Sequence, residues 1–370
     1  MKRLSVLIVS LFLCASLTGA AWAETYSIQQ LRTMGDQSWQ ETYQAYGREI
    51  RVDLTVEIPE AEMLPVLEAI WMPPLEESMQ TQLAKAFQGS GRTDRATSFR
   101  SDGYSLVLEE NLPVWDESKG QTPGKVGQKY RALFDCEMDA AYADGNGLTV
   151  REAFEIAGDK LRLAYPDMEM RLLDVALHGP LYEKSTGRQL WEKGAYGLQC
   201  AQMIRGIPVL TDASEFFLDI GHLPDGASAQ SGRGLLRCEI FDEGSWSVAG
   251  NLLTETGVIR QDVSAVSFDA IRPQLESLIR QGKIRRVYHA GLGYALYMQD
   301  AENRSPLILA PAWVVWCDYF QSPREGDNMD NVNGADIFRD SLGYHSLVFD
   351  ARTGNMIDLE STDYTQAVYR

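Results

Sequence analysis

Ile50, Val52, Leu54, Val56 and Ile58 alternate with Arg51, Asp53, Thr55 and Glu57. A two-residue period held this long fits a strand with one face buried and the other wet. Pro59 brings no N–H to a ladder and ends the run. Such a strand needs partners beside it and a layer over its apolar face. Tyr104, Leu106 and Leu108 alternate again and are the expected partner strand. In between, Leu75, Met79, Leu83 and Phe87 recur every fourth residue after Pro73-Pro74, which predicts a covering helix stopped by Gly89. Residues 115–128 are polar and rich in Gly and Pro, and read as a loop.

The pattern then changes twice to helix followed by strands. Thr149 and Glu152 have capping-box spacing, and Val150, Ala153, Phe154, Ala157 and Leu161 supply an apolar stripe. Strand-like runs follow at 170–177, 195–204 and 207–210, the last entered by a turn and tolerant of Pro208 only at a sheet edge. Residues 211–234 are largely polar and read as a linker. A hairpin is expected around Asp242-Glu243-Gly244. Ser267 then caps a helix carrying Phe268, Ile271, Leu275, Leu278 and Ile279, with Gly282 as its stop. Runs at 284–298, 307–320 and 344–349 are strand-like, and the turn 350–354 leads to a short strand at 355–359. This predicts an α+β fold of antiparallel sheets packed by helices. It divides the chain into a leader at 1–23, an N-terminal α+β unit at 24–147, and helix-plus-sheet units at 148–234 and 235–370, the last two related by an internal duplication.

The leader has its own signature. Lys2 and Arg3 precede an apolar run over 4–17, and Ala21-Trp22-Ala23 is a small-x-small cleavage pattern before Glu24. A secreted or extracytoplasmic protein cleaved after Ala23 is expected. The apolar run is short for a span, and no later run reaches membrane length. Cleavage removes two of the 34 basic residues and none of the 52 acidic ones, taking the net charge from −18 to −20. With 45% hydrophobic and 23% charged residues the chain can build a core, so the acidity is a surface property. That surface repels nucleic acid and favours a basic protein or peptide partner. Four cysteines survive cleavage, Cys136, Cys200, Cys238 and Cys317. They allow three pairings, and no pair has the CxxC spacing of a redox or zinc site.

The C-terminal unit carries a resemblance. Leu292-Gly293-Tyr294, the run Leu307-Ile308-Leu309-Ala310-Pro311-Ala312-Trp313, and Val348-Phe349-Asp350-Ala351-Arg352-Thr353-Gly354-Asn355-Met356-Ile357-Asp358 resemble PepSY-type and YycH/YycI-type extracytoplasmic domains. The middle unit, with its Tyr196–Ile204 run before Gly206-Ile207-Pro208-Val209, is similar. The likeness spans about 149–360 and points to an uncharacterised exported family of Gram-positive bacteria. It implies two PepSY-like units and a binding or regulatory role without catalytic residues.

Chemistry-bearing patterns are sparse. Asp144-Gly145-Asn146-Gly147 imitates a calcium loop. With Gly147 at the turn position, Tyr142 holds the first ligand place and Ala153 the bidentate one, so the pattern fails. The stretch Asp327, Asn328, Asp330, Asn331, Asn333 and Asp336 fails the same way, with Met329 in the first place. The histidines, His178, His222, His289 and His345, are scattered. Gly291-Leu292-Gly293 begins a dinucleotide fingerprint, but Leu296 stands where its last glycine belongs. No cofactor, metal or catalytic residue is expected. Trp313, Trp316 and Tyr319 are the candidate ligand or partner contacts. Trp313, Val315, Cys317 and Tyr319 share one strand face, and Trp316 lies on the other. If both faces are covered these side chains are core; if one is open they form an aromatic groove. The leading expectation is a non-catalytic binding or regulatory protein. The alternative is an exported carboxylate-dependent hydrolase of cell wall or peptide.

Overall fold

The computed structural model describes residues 24–34, 38–45, 47–72, 78, 106–110, 129–131, 137–143, 146–178, 181–182, 189–191, 194–210, 235–243, 245–250, 252–298, 307–320, 337–338 and 345–357. The leader, the helix expected after Pro73-Pro74, the acidic stretch 327–336, the linker, Cys136 and His222 lie outside them.

The strands in chain order are β1 Thr25–Tyr26, β2 Ser38–Ala45, β3 Arg48–Thr55, β4 Val66–Trp71, β5 Leu106–Glu110, β6 Lys129–Arg131, β7 Glu169–His178, β8 Leu181–Tyr182 and β9 Gln189–Trp191. They continue with β10 Ala195–Ile204, β11 Ile207–Pro208, β12 Leu235–Asp242, β13 Ser245–Gly250, β14 Leu253–Arg260 and β15 Ala265–Val266. The last four are β16 Ile284–Met298, β17 Leu307–Phe320, β18 Ile337–Phe338 and β19 His345–Asp350. Among the described residues three helices join them: α1 Ile28–Thr33, α2 Val150–Ala164 and α3 Phe268–Arg280.

The strands form two principal antiparallel sheets. One runs β5-β13-β12-β10-β7-β6, with β11 also on β10. The other runs β14-β4-β17-β16, with β18 and β19 also on β17. The α+β expectation holds at this level. The alternating run at 50–58 does form β3, but its partner is β2, reached through a tight turn at Gly47 with φ of 74°. The expected partner, β5, pairs instead with β13 in the other sheet. The local hairpin closes the shorter loop, and so costs less entropy than the distant pairing.

Each sheet carries one long helix, and the two helices are built alike. Val150, Ala153, Ala157 and Leu161 follow the cap residue Thr149 at the same intervals as Phe268, Ile271, Leu275 and Ile279 follow Ser267, and all eight are buried. After α2 the chain lays down β7, β10 and β12 as sheet neighbours; after α3 it lays down β16, β17 and β19 in the same order. An aromatic on the middle strand of each set reaches the carbonyl just before the cap. Tyr196 Oη donates to Leu148 O at 2.8 Å, and Trp313 Nε1 donates to Val266 O at 3.0 Å. Two apolar cores result. One joins α2 to β7, β10, β12 and β13; the other joins α3 to β2, β3, β4, β16, β17 and β19.

The sheets meet along a seam. Gln202 on β10 bonds both backbone groups of Leu253 on β14, each at 2.8 Å. The tight turn after β10 puts Arg205 at φ of 54°, a region costly for a side chain other than Gly. Its guanidinium pairs twice with Glu255 of β14, at 2.8 and 2.5 Å, which holds it there. Beyond β11, Leu210 N donates to Tyr294 O of β16 at 2.9 Å. Gly293 makes that approach possible: a Cβ there would stand 2.6 Å from Leu210 Cγ and from Pro208 O. The Gly291-Leu292-Gly293 motif is thus a site of close backbone approach, not part of a phosphate loop.

Candidate functional site

Glu57 lies at the end of the alternating run, on its wet face. Its backbone docks on the edge of β16: Glu57 N donates to Ala290 O at 2.9 Å, and Leu292 N donates to Glu57 O at 2.8 Å. Gly291 sits opposite and leaves room for a contact between neighbouring side chains. His289 Nε2 lies 3.2 Å from Glu57 Oε2. Arg171 of β7 pairs with the same oxygen from the other sheet. The His289 ring stacks on Trp316 with centroids 4.6 Å apart and planes at 26°. Trp316 is only 2% exposed, and its Nε1–H has no hydrogen-bond partner among the described residues.

Burial works to raise the Glu57 pKa, but the hydrogen bond and charge of His289, together with Arg171, more than reverse it and hold the carboxyl below its ordinary value. Glu57 is therefore kept ionised. A carboxylate shared by an arginine and a histidine from two other chain segments is a tie between elements and a poor proton donor.

The aromatic residues expected to touch a ligand are placed otherwise. β17 is central: β16 flanks it on one side, and β4, β19 and β18 take up the other in succession. Trp313 is fully buried, with its ring 5.7 Å from that of Phe268 on α3. Trp316 is buried on the opposite face, and Tyr319 packs half-buried against the same core. The three do not line one groove. A strand with neighbours on both edges and cover on both faces turns its aromatics into core.

The calcium-like turn also acquires a structural role. Asn146 is buried; its Nδ2 donates to Gly194 O at 3.0 Å and Phe241 O at 2.6 Å, and its Oδ1 accepts from Leu148 N at 3.1 Å. Gly147 takes φ of 79° just ahead of the Thr149 cap. Cys200 and Cys238 are buried free thiols, and Cys317 is buried as well. Cys200 and Cys238 lie on neighbouring strands, but Cys200 faces Leu236 and Cys238 faces Leu198, so they are diagonal. Diagonal partners stand farther apart than a disulfide spans comfortably. Burial, then the Cys238 thiol, pushes the Cys200 pKa well up, so it is a poor nucleophile.

The sequence marks His289 only as one of four scattered histidines and Glu57 only as a wet-face residue of its strand, and Arg171 lies unmarked within the strand-like run 170–177. Their meeting depends on two long-range dockings, of 57 on 291 and of β7 beside them, that no spacing encodes. Among the described residues no group of three or more His, Cys, Asp or Glu is arranged to hold a metal ion.

No family model matches the chain, and no curated protein matches it. A crystal structure of an uncharacterised protein from Eubacterium rectale ATCC 33656 is similar, with a TM-score of 0.55 at 15% identity over 89% of this chain and 97% of that one. At that identity the similarity concerns the fold alone.

Proposed function

We propose that this is an exported, non-catalytic protein of the cell envelope or extracellular space that binds a protein or peptide partner through two PepSY-like units. Support for export comes from the leader pattern ending at Ala23. No helix among the described residues is long and apolar enough to cross a membrane. Support for two related units comes from the matched cap, helix, strand order and aromatic tie in each half. The observation that carries binding is β14. This eight-residue strand stands at the end of its sheet, paired with β4 among the described residues, and most of its side chains are half-exposed. An edge strand is a template for strand addition. Two bulges interrupt β14, one leaving Thr256 unpaired, and they restrict the edge to a strand of matching twist. The acidic surface favours a basic partner.

A photo-crosslinking residue at exposed Thr256 tests the reading on the secreted and envelope fractions of the source cells. A discrete covalent adduct is expected. Its absence at Thr256, with intact folding, would remove the case for β14. N-terminal sequencing of exported protein should begin at Glu24.

The hydrolase alternative has one observation in its favour, the half-buried Glu57 beside His289. Acid catalysis needs a carboxyl whose pKa is raised toward neutrality, and that of Glu57 moves the other way.

A further inference from the structure

We propose that Glu57 is an acid-sensitive latch: its carboxylate holds the end of the N-terminal hairpin against both sheets, and protonation frees that end from the edge of β16 and from β7.

Geometry makes the carboxylate the common point of three segments. Its backbone is bonded to Ala290 and Leu292, while its Oε2 meets Arg171 of one sheet and His289 of the other. Among the described residues, Arg171 from β7 and His289 from β16 are the charged or titratable groups that act on it. Both act in the same direction. An imidazolium at His289 would only pair more firmly with an ionised Glu57, so release is set by the carboxylate itself.

The sign follows from linkage. In the unfolded chain Glu57 takes up a proton at its ordinary value, near 4.5, and in the folded protein it does so lower. The latch therefore contributes fully above that ordinary value and is lost as the pH falls through the folded one. A neutral carboxyl can still accept a hydrogen bond, but it no longer attracts the Arg171 charge.

Two of the other ties across the seam carry no carboxylate, whereas the Arg205–Glu255 pair does. Gln202 bonds Leu253 through a neutral amide, and Leu210 bonds Tyr294 through backbone alone. Acid should therefore loosen the edge of β16 at 290–292 and leave it closed at 294. The Leu210 amide is an internal control three residues along the same edge.

Amide exchange by NMR on the mature protein, expressed as protection factors between pH 6 and pH 3, tests this. Protection of the Glu57 and Leu292 amides should fall by about five-fold relative to Leu210, the lower end of typical couplings between sites. Glu57→Gln should abolish the pH step. If that variant does not fold, Arg171→Met decides: removing one of the two groups that lower the Glu57 pKa should move the step to higher pH. Parallel loss at Leu292 and Leu210 would overturn the latch. So would an unchanged step in Glu57→Gln, or one that stays put in Arg171→Met.

Discussion

The two halves of this molecule share a plan and differ in where they keep their bulk. In the first, the helix stripe is Val150, Ala153, Ala157 and Leu161, and the large side chains, Tyr196 and Trp246, come from the sheet. In the second, the helix itself brings Phe268, Ile271, Leu275 and Ile279, and Trp313 meets them from the sheet. Packing density in a core is nearly constant, so small residues on one layer require large ones on the other or a closer approach. One backbone plan thus accommodates two side-chain solutions, and residue identity between the halves is slight for that reason. The second half also has longer central strands, of 15 and 14 residues against 10 and 10. The extra edge of β16 receives Glu57 and Leu210 from elsewhere in the chain.

The aromatic tie is the sharpest point of comparison. Trp313→Ala should have the largest effect, about 3–5 kcal/mol in urea unfolding, because it empties a fully buried site and strands the Val266 carbonyl. Gly293→Ala should come next, at about 1–3 kcal/mol, since its Cβ would meet a backbone oxygen that cannot swing aside. A neutral result would mean that the β11 segment is not pressed on β16. Tyr196→Phe keeps the ring but deprives Tyr142 N, Ala143 N and Leu148 O of the hydroxyl, at 2.8, 3.3 and 2.8 Å. A loss of about 1–3 kcal/mol is expected, with faster amide exchange at Tyr142 and Ala143. Equal exchange in mutant and wild type would break the analogy with Trp313.

Elements whose code is local were readable from the residues. The strand β3, the box at Thr149 and Glu152, the stop at Gly282 with φ of 69°, and the hairpin between β12 and β13 each rest on contacts within a few residues. β2, β4 and β14 were not foreseen. Ser38–Ala45 mixes buried Trp39 and Tyr43 with polar neighbours, and Thr254–Arg260 is half-exposed apart from exposed Thr256, so neither shows a clean period. Strand pairing was the harder failure. Nothing in 104–108 says that its partner will be Val248 and Ala249 instead of the 50–58 run. The Glu57 cluster fails for the same reason, since Arg171 and His289 are far from it along the chain. The aromatic residues at 313–319 were correctly split between two faces, and what decided their role was cover on both.

The smallest effect compares the two caps. Thr149 Oγ1 accepts from Glu152 N at 3.2 Å, and Glu152 Oε2 accepts from Thr149 N at 2.8 Å, a closed box on two otherwise orphan donors. Ser267 occupies the same place before α3, yet its side chain makes no capping bond. Helix α3 even tolerates Pro273 inside it, because its apolar face and the Trp313 tie hold it down. Thr149→Ala should therefore cost about 1 kcal/mol, and Ser267→Ala a few tenths at most. Thr149 also holds Glu152 below its ordinary pKa, first through the backbone hydrogen bond and then through its hydroxyl. Because that carboxylate is fully exposed, its contribution should be small; it is present above the ordinary glutamate value and is lost as the pH falls through the lowered one, where protonating Glu152 opens the box. The difference between the two alanine variants should accordingly narrow as the pH falls from 6 to 3. Equal losses at both caps would show that packing, not capping, sets the start of each helix.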